Sequence, residues 1–210
     1  MDFDRAAAAW DGPRRIERAK VLAEAIRKSW GEKPRDVLDF GCGTGLLTFA
    51  LSPFAGRIYG FDTSVEMRKI FEEKTALSKT GNVYFIDADE LKNHTFDVIF
   101  SSMVFHHIVD VQTQIAALKK QLAPGGLFIW IDLYEDDGSF HQNEPDFNGH
   151  NGFSEAEVEK TLKNCGFANV SVRPVFSAER PVDGKLIPYS LFLARAKGQI
   201  ELTEVWHDDQ

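Results

Sequence analysis

The sequence predicts a single α/β domain whose core is a mostly parallel sheet of seven strands, with helices on both faces and an antiparallel last strand. Three observations lead to this prediction. From residue 31 onward, short apolar runs alternate with amphipathic helical stretches, which is typical of strands joined by helical crossovers. A glycine-rich segment follows the first apolar run. The length of 210 residues suits one domain with additions better than two complete domains.

Residues 1–30 are predicted to form two helices. Residues 6–9 are all alanine, a strong helix former, and apolar side chains then recur at positions 16, 19, 23 and 26. Asp11-Gly12-Pro13 breaks this run, because glycine and proline together favour a turn. We expect this segment to lie over the sheet as a helical lid.

The remaining elements follow in order. Helices are predicted at 46–51, 64–77 and 111–122, and Pro124-Gly125-Gly126 is expected to end the last of them. Ser154 and Glu157 form a capping box that opens a helix ending at Gly166. The turn-rich stretch 179–185 is expected to join the last two strands as a hairpin. The predicted strands are 36–40, 57–61, 82–86, 96–100, 127–133, 170–175 and 186–194.

Two segments extend beyond this pattern. Residues 134–152 are polar, acidic and too long for a routine connection, so we expect a substrate-side loop there. Residues 197–210 are expected to form a loosely held tail. Residues 35–195 would then be the core of a single domain that spans 1–210.

Charge and cysteine content exclude several classes of function. The 24 Lys and Arg against 32 Asp and Glu leave a net charge of -8, which disfavours nucleic acid and anionic membranes as partners. Two cysteines cannot build a disulfide framework or a cysteine-only metal site. No apolar stretch has the length of a membrane span or the form of a signal peptide. We therefore expect a soluble, cytoplasmic protein.

The segment 37–45 is a buried strand that runs into a glycine-rich turn, with Leu46 opening a helix. Asp62 ends the next strand, 21 residues after Gly41, where an acid can accept both hydroxyls of a ribose. Loop and acid together predict a nucleoside-binding crevice in a Rossmann-like fold. A dinucleotide fingerprint needs a third glycine where this chain has Leu46, which argues against the alternative of an NAD-type dehydrogenase.

The spacing Asp39-x-Gly41-x-Gly43-x-Gly45 resembles the first motif of class I S-adenosylmethionine-dependent methyltransferases. Among their large groups, the chain is most similar to the small-molecule group that resembles ubiquinone and menaquinone methylases. The resemblance covers roughly residues 35 to 195. It implies that S-adenosylmethionine is the cofactor, S-adenosylhomocysteine the product and a small molecule the methyl acceptor.

The resemblance also assigns roles. The three glycines would pass beneath the methionine part of the cofactor, with Cys42 as a small side chain in the loop, and Asp39 would position the amino group. Asp62 would bind the ribose. Four motifs along the chain carry these assignments. Near the adenine we expect Thr63, Ser64, Met67, Asp87 and Ala88, and near the transferable methyl Ser101 and Ser102.

Histidine supplies the candidates for acid–base chemistry. His107, and less strongly His106, follow the fourth strand, where they could accept a proton from the acceptor. Adjacent residues on a helix point about 100° apart, so at most one of the two is expected to face the pocket. His141 and His150 lie in the 134–152 loop without a metal-ligand spacing, so no metal site is predicted.

The acceptor is expected to enter between the lid and the 134–152 loop. Trp10 with Arg14, Arg15 and Arg18 gives the lid a basic aromatic face that could close on the cofactor carboxylate or on an anionic substrate, or could be a solvated helix face. A cofactor-binding regulatory protein without catalysis stays open as a further alternative. The residues that could form an aromatic wall are Phe3, Trp10, Phe105, Tyr134, Phe140, Phe147 and Phe153.

Overall fold

The computed structural model describes residues 2–31, 33–144 and 146–198, and it contains the seven-stranded sheet that the sequence predicts. The strand order is β3-β2-β1-β4-β5-β7-β6. The strands are β1 Asp36–Phe40, β2 Arg57–Phe61, β3 Val83–Phe85, β4 Phe96–Ser102, β5 Leu122–Leu133, β6 Ala168–Val182 and β7 Lys185–Lys197. The helices are α1 Phe3–Ala6, α2 Pro13–Trp30, α3 Leu46–Leu51, α4 Val65–Leu77, α5 Ala88–Lys92, α6 Val111–Lys119 and α7 Glu155–Asn164.

The order of the strands reverses beside β1, which pairs in parallel with both β2 and β4. Crossovers on opposite faces leave a crevice at the carboxyl ends of these strands, which is where open α/β sheets bind ligands. Strand β7 runs antiparallel to both of its neighbours, β5 and β6. The predicted antiparallel last strand is therefore confirmed.

Both faces of the sheet are covered. On one face, Leu38, Phe128 and Trp130 belong to a buried cluster with side chains of α5, α6 and α7. On the other face, Val37 and Ile129 pack with side chains of α2, α3 and α4. Residues of one strand alternate between the two clusters because successive strand side chains point to opposite faces. This double cover explains why strands such as β4 and β5 contain nearly continuous apolar runs.

Two regions differ most from the predicted element boundaries. Helix α6 ends at Lys119 and β5 begins at Leu122, so the Pro124-Gly125-Gly126 segment lies within β5. Leu122 pairs with Phe96 of β4, and the register then shifts before the regular pairing resumes. The predicted turn 179–185 is mostly strand. Asp183 and Gly184, with φ of 48° and 76°, form a two-residue turn that lets β6 and β7 pair up to the turn.

Within the described ranges, no helix is both long and apolar enough to span a bilayer. Residues 199–210, most of the predicted tail, lie outside the described residues.

Candidate functional site

The loop between β1 and α3 carries three glycines in left-handed conformations. The φ angle is 76° at Gly41, 55° at Gly43 and 87° at Gly45, a region that other residues rarely adopt. At Gly41 the space is also closed, since a β-carbon there would lie 2.3 Å from Cγ2 of Val104. The loop therefore turns tightly at the crevice and brings backbone, not side chains, to its surface.

Asp62, just after β2, is oriented by this loop. Its Oδ2 accepts a hydrogen bond from the amide of Gly43 at 2.8 Å, and its Oδ1 accepts one from the amide of Ser64 at 2.9 Å. A carboxylate has about four lone-pair sites, so about two acceptor sites stay available on this half-buried group. Asp62 can therefore receive two hydroxyl groups of a ligand without rearranging.

Asp39 lies beneath the loop and is 2 % exposed. Its Oδ2 accepts a hydrogen bond of 2.6 Å from the hydroxyl of Thr48. Burial, and to a smaller extent the charge of Asp62, raises the pKa of Asp39 to about 7, although the bond from Thr48 acts in the opposite direction. A cation at this position would stabilise the ionised carboxylate.

Cys42 has a structural place in the loop. It is buried, and a β-carbon on Gly60 of β2 would lie 2.8 Å from its sulfur. Burial raises the pKa of its thiol well above the usual range, so the group stays protonated. The small thiol fills the space between the loop and β2.

The residues expected near an adenine lie along the next two strand ends. Met67 is fully buried, and its sulfur would be 3.9 Å from a β-carbon on Gly43. Ser64 caps α4 by accepting from the amide of Met67 at 3.1 Å, and Thr63 is exposed. Asp87 and Ala88 are exposed at the start of α5.

Asp87 also has a local role as the N-cap of α5. Its Oδ1 accepts from the amides of Asp89 and Glu90, both at 2.9 Å. These bonds, that of Glu90 first, lower its pKa and keep it ionised. One of its oxygens is thereby occupied, and the other is left for a ligand.

The end of β4 carries the two serines expected near the transferable methyl group. Ser101 is fully buried, and its hydroxyl donates to the carbonyl of Phe40 at 2.9 Å, so it joins β4 to β1. Ser102 is partly buried. The next residue, Met103, has a φ of 61°, an uncommon value for a residue with a side chain. Met103, not Ser101, turns its side chain toward the cavity described below.

The N-terminal segment lies directly over the glycine loop. Asp11 Oδ1 accepts from the hydroxyl of Thr44 at 2.5 Å, and its other oxygen pairs with Lys74. Lys74 also donates to the carbonyl of Thr44 at 2.9 Å. The indole nitrogen of Trp10 is 3.4 Å from the position of a β-carbon on Gly43. These contacts hold residues 2–12 over the crevice.

Next to this lid is a cavity of about 250 Å³. Three parts of the chain form its walls: the lid, the 134–152 loop and the β6–β7 hairpin, with the end of β4 at its base. Its lining residues are Phe3, Trp10, Arg14, Arg15, Arg18, Met103, His106, His107, Phe140, His141, Glu179, Arg180, Pro181 and Tyr189.

A buried histidine–aspartate pair lies at the cavity wall. His106 Nδ1 is 2.5 Å from Oδ1 of Asp132, and the two residues are 1 % and 0 % exposed. Asp132 also accepts from the amides of His106 and Leu133 and from the indole of Trp130. Burial would raise the pKa of Asp132, but His106 and these bonds outweigh it and hold the pKa low. Asp132 thus orients the imidazole, with its Nε2 directed away from Asp132.

His107 and His141 complete the group of imidazoles. The rings of His106 and His107 lie 4.0 Å apart, and that of His141 lies 5.2 Å from His106. Burial, followed by the two other histidines, lowers the pKa of His107 to about 3, so this ring is neutral at physiological pH. The buried Nε2 of His141 has no hydrogen-bond partner among the described residues.

Both His106 and His107 line the cavity, so the expectation that at most one would face it is wrong. The two residues belong to a 3-10 turn of three residues, Phe105–His107, rather than to a helix packed on the sheet. A short turn that projects at the cavity can present successive side chains to it.

The sequence was compared with known proteins. A family model described as a methyltransferase domain matches residues 14–172. The chain belongs to this methyltransferase family. An uncharacterized methyltransferase of Schizosaccharomyces pombe is 30% identical over 165 residues, which are 70% of this chain and 58% of that protein. This chain therefore spans about three fifths of that relative's length. Membership in the family argues against the NAD-type dehydrogenase.

Solved structures share the fold of this methyltransferase domain. One belongs to the complex between the Haloferax volcanii Trm112 methyltransferase activator and a methyltransferase, with a TM-score of 0.73, 20% identity, and coverage of 94% of this chain and 98% of that chain. Another is a phosphoethanolamine N-methyltransferase of Haemonchus contortus in complex with phosphomonomethylethanolamine and S-adenosylhomocysteine. Its TM-score is 0.69 at 17% identity, with 85% of this chain and 52% of that chain covered. These likenesses confirm the predicted Rossmann-like fold.

Some residues of the candidate site were not predicted from the sequence. Asp132 was not recognised as a candidate, because it lies within the predicted strand 127–133, whose other residues are all apolar. Arg180 and Tyr189 were missed because the hairpin was expected to turn earlier. Of the aromatic wall, Phe3, Trp10 and Phe140 line the cavity, whereas Phe105 and Phe153 are buried in the core. His150 bonds to the carbonyl of Ile108 at 3.0 Å and does not line the cavity.

Proposed function

We propose that this protein transfers the methyl group of S-adenosylmethionine to a small-molecule acceptor, in the cytoplasm and without nucleic acid as a substrate. The observation that carries this proposal is Asp62, held by the amides of Gly43 and Ser64 beside a loop whose glycines leave room for a ligand. A carboxylate with two free acceptor sites at this sheet position suits a ribose diol. The free thiols of Cys42 and Cys165 support a reducing compartment.

The residues of the crevice fit the rest of this cofactor. Asp39 would face its ammonium group, and this pairing would relieve the cost of a buried carboxyl that has one hydroxyl as a partner. Asp87 and Ala88 would lie at the adenine, with Met67 behind the glycine loop. The loop between Gly41 and Gly45 would contact the amino-acid part through its backbone. A sulfonium cofactor supplies an electrophilic methyl group.

The cavity supports a small acceptor that loses a proton. At about 250 Å³, it has room for a small organic molecule. His106 is the candidate proton acceptor, through its Nε2, and Asp132 is a positioning residue that stabilises the imidazolium. His107, which was the stronger candidate from the sequence, is a poor base because its pKa is about 3. It would instead help to shape the pocket.

The first experiment is calorimetric titration with S-adenosylhomocysteine. The wild type should bind it, and Asp62→Ala should weaken binding about tenfold or more through two lost hydrogen bonds to a charged group. Glu159→Ala removes an exposed carboxylate whose partner is Lys163 on α7, and it should leave the affinity unchanged. No binding to the wild type, or equal affinity in a folded Asp62→Ala protein, would refute the assignment.

The second experiment separates an enzyme from a cofactor-binding regulator. A panel of small hydroxyl, amine, thiol and carboxylate compounds is incubated with S-adenosylmethionine, and release of S-adenosylhomocysteine is followed. Turnover of one compound supports the enzyme. His106→Gln should then lower kcat strongly with little change in cofactor affinity, because the side chain acts on the acceptor. Cofactor binding without turnover across the panel favours the regulator.

A further inference from the structure

The cavity collects positive charge in a protein of net charge -8. Arg14, Arg15 and Arg18 reach it from α2, and Arg180 reaches it from β6. The four belong to two elements that are far apart in the sequence and meet at this wall. Burial, followed by the charges of Arg18 and Arg180, lowers the pKa of Arg15, so these guanidinium groups are close enough to repel one another.

These arginines are not neutralised within the described part of the chain. None of them has a carboxylate oxygen within 4.0 Å there, although other surface cations do form such pairs. Asp11, whose charge acts to raise the pKa of Arg15, is already bonded to Lys74 and Thr44. Glu179 on the cavity rim is exposed and pairs with none of them.

Arg15 donates a hydrogen bond to the carbonyl of Trp10 at 3.2 Å, but the position of the cluster makes its lack of carboxylate partners within the described residues more costly. Arg14 and Arg15 lie in the first turn of α2, which contains no acidic residue. The N-terminus of a helix carries partial positive charge, so a cation there is unfavourable and an anion favourable. The guanidinium of Arg15 lies 4.0 Å over the ring of Trp10, and that of Arg180 lies 4.3 Å over the ring of Phe140. The aromatic rings hold both groups in place without neutralising them.

We propose that the acceptor carries an oxyanion, a phosphate, phosphonate or carboxylate, which Arg14, Arg15, Arg18 and Arg180 bind inside the cavity. Guanidinium groups bind such anions through charge-assisted, often bidentate hydrogen bonds. His141, whose buried Nε2 has no hydrogen-bond partner among the described residues, lines the same cavity. This substrate class rests on the proposed methyl transfer and specifies which acceptors it can use.

The cofactor's own carboxylate is the competing source of an oxyanion. Trp10 separates the two sites, because its indole nitrogen lies against Gly43 of the loop while Arg15 covers its ring face. Arg180 and His141 lie on the hairpin and on the 134–152 loop, whereas the glycine loop follows β1. The cluster is therefore on the acceptor side of Trp10.

The test uses the full chain, with inorganic phosphate and acetate as probes, titrated by calorimetry with and without saturating S-adenosylhomocysteine. The variants are Arg180→Gln and Arg18→Gln, and the matched control is Arg173→Gln, an exposed residue of β6 that does not line the cavity. We expect at least one probe to bind the wild type and each variant to weaken it about tenfold or more. The control should stay within about twofold. Arg180 comes from an edge hairpin, so its variant carries the test if Arg18→Gln does not fold.

Two ligands distinguish the sources of the anion. S-adenosylhomocysteine contains the carboxylate, and 5′-methylthioadenosine lacks it. If the arginines bind the acceptor, both ligands keep wild-type affinity in the variants. Selective loss of S-adenosylhomocysteine in Arg180→Gln would assign the cluster to the cofactor and overturn the proposal. Failure of the wild type to bind either probe, or equal binding by wild type and variants, would also overturn it.

The same titrations separate this proposal from the proposed function. If S-adenosylhomocysteine binds but no arginine-dependent anion site is found, the acceptor proposal fails and methyl transfer stands. If an arginine-dependent anion site is found but S-adenosylhomocysteine does not bind, methyl transfer fails, and the cavity is an anion site of another kind.

Discussion

Replacing the buried carboxyl beneath the glycine loop, Asp39→Asn, should change how stability depends on pH. The pKa of Asp39 is raised from 3.8 to about 7, mainly by burial. Between these values the folded protein keeps a proton that the unfolded chain has lost, so stability is highest below about pH 4 and falls as pH rises to about 7. Roughly three pH units at about 1.4 kcal/mol each amount to about 4 kcal/mol. The asparagine has no titrating proton, so this fall in stability with pH is absent from the variant. Its amide oxygen can still accept a hydrogen bond from Thr48.

Urea unfolding at several pH values between 4 and 8 measures the effect. The free energy of unfolding of Asp39→Asn should exceed that of the wild type at pH 8 by up to about 4 kcal/mol, and the difference should shrink toward pH 4. Glu73→Gln, which removes an exposed acid of α4, should follow the wild type. A variant that is less stable than the wild type by the same amount at every pH would refute the argument, because Asp39 would then be ionised throughout.

The same residue links pH to cofactor binding. If the cofactor's ammonium group faces Asp39, binding requires the ionised carboxylate and releases a proton. Affinity for S-adenosylhomocysteine should then rise by about tenfold per pH unit from pH 5 toward 7. Asp39→Asn should bind more weakly at pH 7 and with little pH dependence. Identical pH profiles for the two proteins would contradict the assignment of Asp39 to the ammonium group.

Three further outcomes are expected. Gly41→Ala should cost about 2 kcal/mol or more of unfolding free energy, since its φ is 76° and the new β-carbon would meet Val104; Gly41→Ala with Val104→Ala should recover part of that loss in the same urea assay, and no recovery would contradict the predicted contact. Asp132→Asn should destabilise the protein by about 3 kcal/mol, because the new amide N–H faces groups that themselves donate; an unchanged midpoint in thermal unfolding would argue against the pair with His106. His107→Ala should lower turnover of an identified acceptor more than it lowers cofactor affinity, and equal turnover would make the residue purely structural.

Much of the crevice was predictable from short sequence patterns. The glycine loop, Asp39 and Asp62 are recognisable because a strand, a tight turn and a second strand end impose residue types at fixed spacing. Their placement beside one another follows from the parallel pairing of β1 with β2. By contrast, nothing in the apolar run of β5 distinguishes Asp132 as the partner of a histidine 26 positions earlier.

The cavity walls were the hardest part to predict. The sequence predicted that the acceptor enters between the lid and the 134–152 loop. In the structure, Arg180, Pro181 and Tyr189 form a third wall of the cavity. The reason is the length of the last hairpin, whose strands continue to the turn at Asp183 and Gly184 and reach the lid helix. Polar residues at 179–185 favour a turn by composition, but cross-strand pairing extends the strands through them.

The sequence by itself determined the α/β fold, the family and the position of the crevice, because periodicity and local turn chemistry depend on residues that are close together in the chain. Only the tertiary structure decided which side chains share the cavity: a helix from the N-terminus, a turn after β4, a loop and a hairpin from the C-terminal part meet there. That meeting gathers four arginines and three imidazoles around one cavity. Contacts between segments so distant in the chain depend on tertiary packing, so they cannot be predicted from local sequence patterns.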